Sequence, residues 1–216
     1  MFDKEKAARF QHTLSLRLVL TSDLDKVQTV AGADSDYDQG GGLIGAVVAV
    51  LKYPEFELME IASEIQKVSI PYIPGYLSFR EGPVLVKAFW KLKTKPDVTL
   101  IDGNGIAHPR RMGLASYVGV LLDVPTIGCA KSPSFPYTPP SVERGSFSLY
   151  LDDKGGKVGY CLRTRFSVKP IFVSPGHRMD FDSARNLVLD CCKYRIPEPL
   201  RKAHHLAKNL FSAEGG

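Results

Sequence analysis

DVTLIDG, residues 97–103, sets the reading of the whole chain. An aliphatic and β-branched run closes on an acid and a glycine, the pattern of a buried strand that stops and turns across a sheet. On its N-terminal side, EGPVLVKAFWKL (81–92) carries Leu85, Ala88, Phe89 and Leu92 on one helical stripe, with Pro83 expected in the first turn. On the other side, Pro109 is expected to open a helix bearing the small residues Gly113, Ala115, Ser116 and Gly119, and VPTIGCA (124–130) reads as the next buried strand. Upstream, VQTVAGAD (27–34), LIGAVVAVL (43–51) and residues 56–65 read as three strands, the last two antiparallel across a KYPEF turn. Ala7, Phe10, Leu14 and Leu18 mark an amphipathic helix over residues 4–20. Downstream, SPSFPYTPPSVERG (132–145) is a loop, 146–151, 158–165 and IFVS (171–174) are strand-like, and helices are expected near 182–193 and 198–211. The predicted fold is α/β, a mixed sheet with antiparallel edge strands flanked by helices, with a single domain over 1–216 and the N-terminal helix (1–20) packed on it.

Composition narrows the function classes. The 216 residues are 44% hydrophobic and 24% charged, which argues against disorder. The longest apolar run, Leu43 to Leu51, is less than half of the ~20 residues a spanning helix needs, so no membrane partner is expected. The net charge of +5 permits a polyanionic partner without demanding one. Cys129, Cys161, Cys191 and Cys192 form no CxxC pair and read as reduced, buried thiols. The opening MFDKEKAARFQH has no apolar core of a signal peptide, and a cytoplasmic location is expected.

Acids stand where chemistry collects in such folds, at strand ends. Asp34 closes VQTVAGAD, Asp102 closes DVTLID, and Glu81 precedes Pro83 at an expected helix start, where the dipole favours negative charge. Brought together, three carboxylates repel and raise one another's pKa values unless a cation neutralises them. Hard oxygen ligands suit Mg²⁺, with Mn²⁺ able to take its place. Asp36 and Asp38 follow Asp34 at a spacing of two, which on a strand means one face, so spacing leaves open which of the three holds metal.

Six stretches make the reading specific: VAGAD (30–34), PYIPGYLSFREGP (71–83), DGNGIAHPRRMGLASYVG (102–119), PTIGCAKS (125–132), FVSPGHRMD (172–180) and RIPEPLRKAH (195–204). In this order, across nearly the whole chain, they closely resemble the endonuclease V family. The resemblance implies an RNase H-like fold and a Mg²⁺-dependent endonuclease acting on deoxyinosine in DNA. Such an enzyme cuts the second phosphodiester 3′ to the lesion and leaves 3′-hydroxyl and 5′-phosphate. Inosine-containing RNA is the alternative substrate, a non-cutting lesion-binding module the alternative class, and a monomer is expected.

Residue by residue, the resemblance assigns Asp34, Glu81 and Asp102 to the acidic metal cluster, with Glu81 holding a second ion or orienting water. It assigns His177 to the neighbourhood of the metal, as ligand or proton relay, and Lys131 to the phosphate at the cut. Pro71, Tyr72, Ile73 and Pro74 match the family's wedge, Tyr72 filling the gap left when a base is unstacked. Gly75, Leu77, Gly103 and His108 match the pocket for the extruded base. There, glycines allow backbone groups to test the O6 acceptor and N1–H donor that distinguish hypoxanthine from adenine. His108 can stack on that base, hydrogen-bond it, or cap the helix at Pro109. Arg110, Arg111 and the stretch Lys87, Lys91, Lys93 and Lys95 are candidate phosphate contacts, the lysines reading mostly as a solvated helix face. Two departures are visible: Ser134 stands where the family usually has an aliphatic residue, and Asn104 where many bacterial relatives have glutamine.

Overall fold

The computed structural model describes residues 2–24 and 26–212. Met1, Asp25 and residues 213–216, all within the expected span 1–216, lie outside the described residues; Met1 belongs to the expected helix 1–20. The elements in chain order are α1 (Lys4–Ser15), β1 (Thr29–Tyr37), β2 (Leu43–Lys52), β3 (Leu58–Lys67), α2 (Leu77–Trp90), β4 (Val98–Asp102), α3 (Leu114–Leu122), β5 (Thr126–Ala130), β6 (Phe147–Leu151), β7 (Lys157–Leu162), β8 (Ile171–His177), α4 (Phe181–Asp190) and α5 (Glu198–Asn209). The strands form one sheet in the order β3-β2-β1-β4-β5-β8-β7-β6. Its middle, β1-β4-β5, is parallel, and the flanking strands on both sides run antiparallel.

The apolar strands explain the layering. LIGAVVAVLK is buried along almost its whole length because both of its faces are covered. One face packs Ala31, Ala33, Ile44 and Val48 against Leu85, Phe89 and Val118 of α2 and α3, with Leu14 of α1 joining the same core. The other packs Val30, Ala49, Leu100 and Val173 against Leu187, Val188 and Ala203 of α4 and α5. A smaller core of Phe135, Tyr150, Cys161 and Phe172 lies beneath the loop after β5. All four cysteines are buried and free.

Several boundaries differ from expectation for identifiable reasons. α1 ends at Ser15, five residues early, yet Leu18 still packs on the core after the chain unwinds, which is why its spacing imitated a longer helix. Phe10 of the expected apolar face is largely exposed, while Gln11 is fully buried. α2 starts at Leu77, so Pro83 lies inside the helix, where it removes only its own i→i−4 bond, and Glu81 lies within the helix and not at its start. α3 starts at Leu114, not at Pro109. β1 runs three residues past Asp34, and β3 lies two residues later than expected.

The contact that sets the two layers' registration is at Gly32. A Cβ there would stand 1.9 Å from the Pro199 carbonyl oxygen, so the first turn of α5 lies directly on β1. Gly32→Ala is expected to destabilise the protein by about 1–3 kcal/mol and to weaken divalent-cation binding, since α5 must lift from the strand that carries Asp34. Thermal unfolding with and without Mg²⁺ measures both effects; a variant unchanged in each would contradict this account of the helix's position.

Candidate active site

The C-terminal ends of the three parallel strands bring charge together. Ala33 on β1 pairs with Ile101 on β4, which sets Asp34 level with Asp102, and Asp102 pairs with Cys129 on β5, two residues before Lys131. Along β1, Gly32 and Asp34 point toward α5, whose His204 donates from Nδ1 to Asp34 Oδ2 at 2.7 Å. Ligand atoms of Asp34, Asp102 and His204 all lie within 4.8 Å of one another. Lys131 Nζ donates to Asp102 Oδ2. On the α2 side, the Tyr37 hydroxyl donates to Glu81 Oε1 at 2.9 Å and itself accepts from Arg80 Nε at 2.8 Å.

Burial holds the Asp34 carboxyl above the usual range, at about 6; the nearby Asp102 adds to the shift, and the bond from His204 opposes it. Burial likewise raises Glu81, against the bonds from Tyr37 and Ser35, with the charges of Asp34 and Asp102 contributing. These groups are strained electrostatically by one another and only partly relieved by Lys131. Two carboxylates and an imidazole form a mixed O/N donor set for a divalent cation; the hard carboxylate oxygens suit Mg²⁺ or Mn²⁺, and the imidazole is a borderline ligand beside them.

Asp36 and Asp38 serve the backbone: Asp36 accepts from the Tyr37 N–H, and Asp38 accepts from the Leu43 N–H to close the β1–β2 turn. Of the three acids, Asp34 is the one in the cluster. His177 is not brought to it. His177 pairs with Thr126 at the start of β5, three residues and roughly 10 Å of strand from the Cys129 level. There its ring is buried, accepting from the Val19 N–H and bonding Asp123 at 3.0 Å, and Arg178 holds the same carboxylate through two bonds. The imidazole at the acids belongs to His204, the last residue of RIPEPLRKAH. That stretch was visible in the sequence, but nothing in its spacing says that α5 crosses β1.

Beside Asp102 opens a cavity of about 340 Å³. Tyr72, Pro74, Gly75 and Leu77 line one side; Gly103, Asn104, His108 and Leu114 line the other, with Ser134 at the rim. Tyr72 is 66% exposed on the loop before α2. Pro71, Ile73 and Arg110 do not line the cavity. The loop after β4 is built by close backbone approach: a Cβ on Gly105 would stand 2.0 Å from the Pro175 carbonyl oxygen, and the Gly105 N–H donates to Ser174 Oγ. In the segment from Pro109 that the sequence reading gave to a helix, the Arg111 N–H donates to the His108 carbonyl at 2.8 Å and the Gly113 N–H to the Gly105 carbonyl at 3.0 Å, so the chain turns there before α3 begins.

His108 accepts from the Arg110 N–H at Nδ1 and therefore donates from Nε2 to the Gly75 carbonyl at 3.1 Å, as the neutral ring. Burial, then the Arg110 charge, lowers its pKa to about 4. Arg110 turns inward, bonding Gln11 and Gly75 and stacking 4.5 Å over Tyr76, so it is not free for phosphate. Arg111 bonds Asp152 at 2.5 Å, and Lys91 ties α2 to Glu64 and the Ser63 carbonyl of β3. Asn104 Nδ2 donates to Ser134 Oγ at 2.9 Å, so the two departures noted in the sequence meet at the cavity rim.

The family model of endonuclease V matches residues 12–205. The chain belongs to the endonuclease V family. An endonuclease V of Dictyoglomus turgidum is 43% identical over 213 residues, covering 97% of this chain and 92% of that protein. The solved endonuclease V of Streptomyces avermitilis superposes with a TM-score of 0.94 at 39% identity, covering 100% of this chain and 96% of the other. Endonuclease V of Ciona intestinalis, solved in complex with a 24mer DNA containing an inosine followed by a ribo-adenosine, superposes with a TM-score of 0.86 at 31% identity, over 98% and 99% of the two chains. The fold is RNase H-like, and the protein is a nuclease, a hydrolase acting on DNA. Among the described residues, no helix is long and apolar enough to cross a membrane.

Two outcomes are expected from this endonuclease V site. Asp34→Asn should stabilise the metal-free protein at neutral pH by on the order of 1–3 kcal/mol, because a buried charge beside Asp102 is removed. Mg²⁺ should then raise the melting temperature of the parent and not of the variant. The second outcome concerns His108. Its folded pKa lies below the unfolded value near 6.5, so the unfolded chain binds the extra proton; stability is fully present above pH 6.5 and is lost as pH falls toward 4. His108→Gln should remove up to about 3 kcal/mol of that acid-side loss, read as a wild-type-minus-variant difference in denaturant midpoint across that window.

Proposed function

We propose that this endonuclease V recognises deoxyinosine, the product of adenine deamination, in DNA. It then hydrolyses the second phosphodiester bond on the 3′ side in a Mg²⁺-dependent reaction, leaving 3′-hydroxyl and 5′-phosphate. The observation that carries the reading is the adjacency of the Asp34–Asp102–His204 cluster and the cavity beneath Tyr72, joined through the dipeptide Asp102-Gly103. Asp34, Asp102 and His204 would hold the cation. When bound, it supplies Lewis-acid polarisation of the phosphate and a water of lowered pKa.

The chain's own residues do the rest. Glu81, partly buried and kept in place by Tyr37, orients the attacking water or holds a second cation. Lys131, a compact charge with no need of bidentate geometry, neutralises the phosphate at the cut. The exposed ring of Tyr72, with Pro71, Ile73 and Pro74 bracing its loop, fills the stack vacated by the lesion. The extruded hypoxanthine enters between Gly75 and Leu77 on one side and Gly103 and His108 on the other. A neutral His108 suits an uncharged base better than a cation would.

The inosine followed by a ribo-adenosine in the Ciona complex favours a second substrate, inosine-containing RNA, over the same site. Oligonucleotides carrying one deoxyinosine or one inosine, incubated with Mg²⁺ or with EDTA, test the proposal. Cleavage is expected with Mg²⁺ alone and faster on the deoxyinosine strand, with the product mapped to the second 3′ bond. Asp102→Ala should lower the rate by at least 10²-fold while leaving binding of the strand intact. Cutting in EDTA would overturn the mechanism, and faster cutting of RNA at matched salt would overturn the choice of substrate.

A further inference from the structure

We infer that Gln11 of α1 is a positioning residue for base recognition, setting the spacing between the two walls of the lesion cavity; the inference rests on the proposed binding of hypoxanthine there. Gln11 is fully buried on α1, and nothing in its polar side chain helps a hydrophobic core. Its Nε2 reaches the Gly75 carbonyl and the Ser78 hydroxyl, both at 3.2 Å, on the wall that precedes and begins α2. The same nitrogen lies 3.3 Å from the Met112 carbonyl on the opposite wall. Its Oε1 accepts from Arg110 Nε at 2.6 Å, on the loop that carries His108 of that opposite wall.

An amide nitrogen has two hydrogens, so three acceptors crowded around it must share them, which holds both walls at one distance. The seam continues at the Gly75 carbonyl, which also accepts from Arg110 Nη2 at 2.6 Å and from His108 Nε2 at 3.1 Å. Gln11 itself does not line the cavity. It acts through Gly75 and through the loop that presents His108. Hypoxanthine and adenine differ by one donor and one acceptor on a single edge, so discrimination depends on wall groups standing within a few tenths of an ångström of their places. Gln11 is the side chain that couples the wedge loop to the loop after β4 from behind.

Two substitutions separate its functions. Gln11→Glu keeps an oxygen for Arg110 but offers no donor at neutral pH, and Gln11→Met removes both at nearly equal volume. In steady-state cleavage of a deoxyinosine duplex, KM is expected to rise tenfold or more in both, with kcat within about threefold of the parent. The inhibition constant of an undamaged duplex and the midpoint of Mg²⁺ activation should stay where they were. Arg110→Lys, which breaks the same seam from its other end, should raise KM without adding to the effect of Gln11→Met. It also carries the test if either Gln11 variant fails to fold. An unchanged KM in the folded variants overturns the inference, as does a loss in which kcat, undamaged-duplex affinity and Mg²⁺ midpoint all fall together, since that is mere unfolding of the site. A parent protein with no preference for deoxyinosine over undamaged DNA instead overturns the recognition on which the inference rests.

Discussion

Two carboxylates on neighbouring parallel strands, Asp34 and Asp102, stand level where β4 stops and β1 runs on past its last pairing with it, and much of the surrounding structure answers their repulsion. A folded chain tolerates such a pair only with compensating positive charge or donors. Lys131 reaches Asp102 from the end of the third parallel strand, His204 donates to Asp34 from α5, and Tyr37 donates to the partly buried Glu81 from β1. Each compensating group comes from a different element, so the cluster is also where the two helical layers and the central strands are held in register. Gly32 exists for the same reason: without its missing side chain, α5 could not lie close enough for His204 to reach Asp34.

The cavity obeys a different constraint, close approach of backbone to backbone. Gly105 and Gly113 sit within a Cβ's reach of main-chain atoms, so the loop after β4 folds back on itself and on β8. That loop begins at Asp102 itself, so the acid cluster and the cavity wall share a peptide bond. Movement of one is movement of the other, which suits an enzyme that must register the cut against the base it reads.

The legible parts of the sequence were those governed by short-range pattern. LIGAVVAVL, DVTLID and VPTIGCA announce buried strands because an uninterrupted apolar run has few other uses, and the acids at or near the strand ends, Asp34 and Asp102, were found from that placement. What pattern missed was settled over long range. Pro83 looks like a helix start because its preference is local, yet Leu77 and Ser78 extend α2 backwards once they pack near Gln11. His177 and His204 are equivalent on paper, both in stretches that resemble the family. Only strand register separates them: β8 runs antiparallel to β5 and carries His177 to the far end of the sheet, where Asp123 and Arg178 hold it. Gln11 gave no signal, since a polar residue within a helical stripe reads as surface until its partners, 64 to 101 residues away, are known.

The net charge of +5 takes on a local meaning from this arrangement. Against that excess the proposed centre is acidic, and Lys131 beside it is spent on Asp102. A lysine held by a carboxylate repels no anion but attracts one weakly, because the pair is nearly neutral at a distance. On the proposed reading, Lys131 meets a phosphate at full strength only when Asp102 shares its charge with another cation. On the same reading the acids would do more than hold a metal: without one they would mask the charge that draws nucleic acid to the proposed cutting centre. Affinity for the backbone and competence to cut it would then rise together, which would keep a modestly basic protein from gripping undamaged strands at the proposed centre.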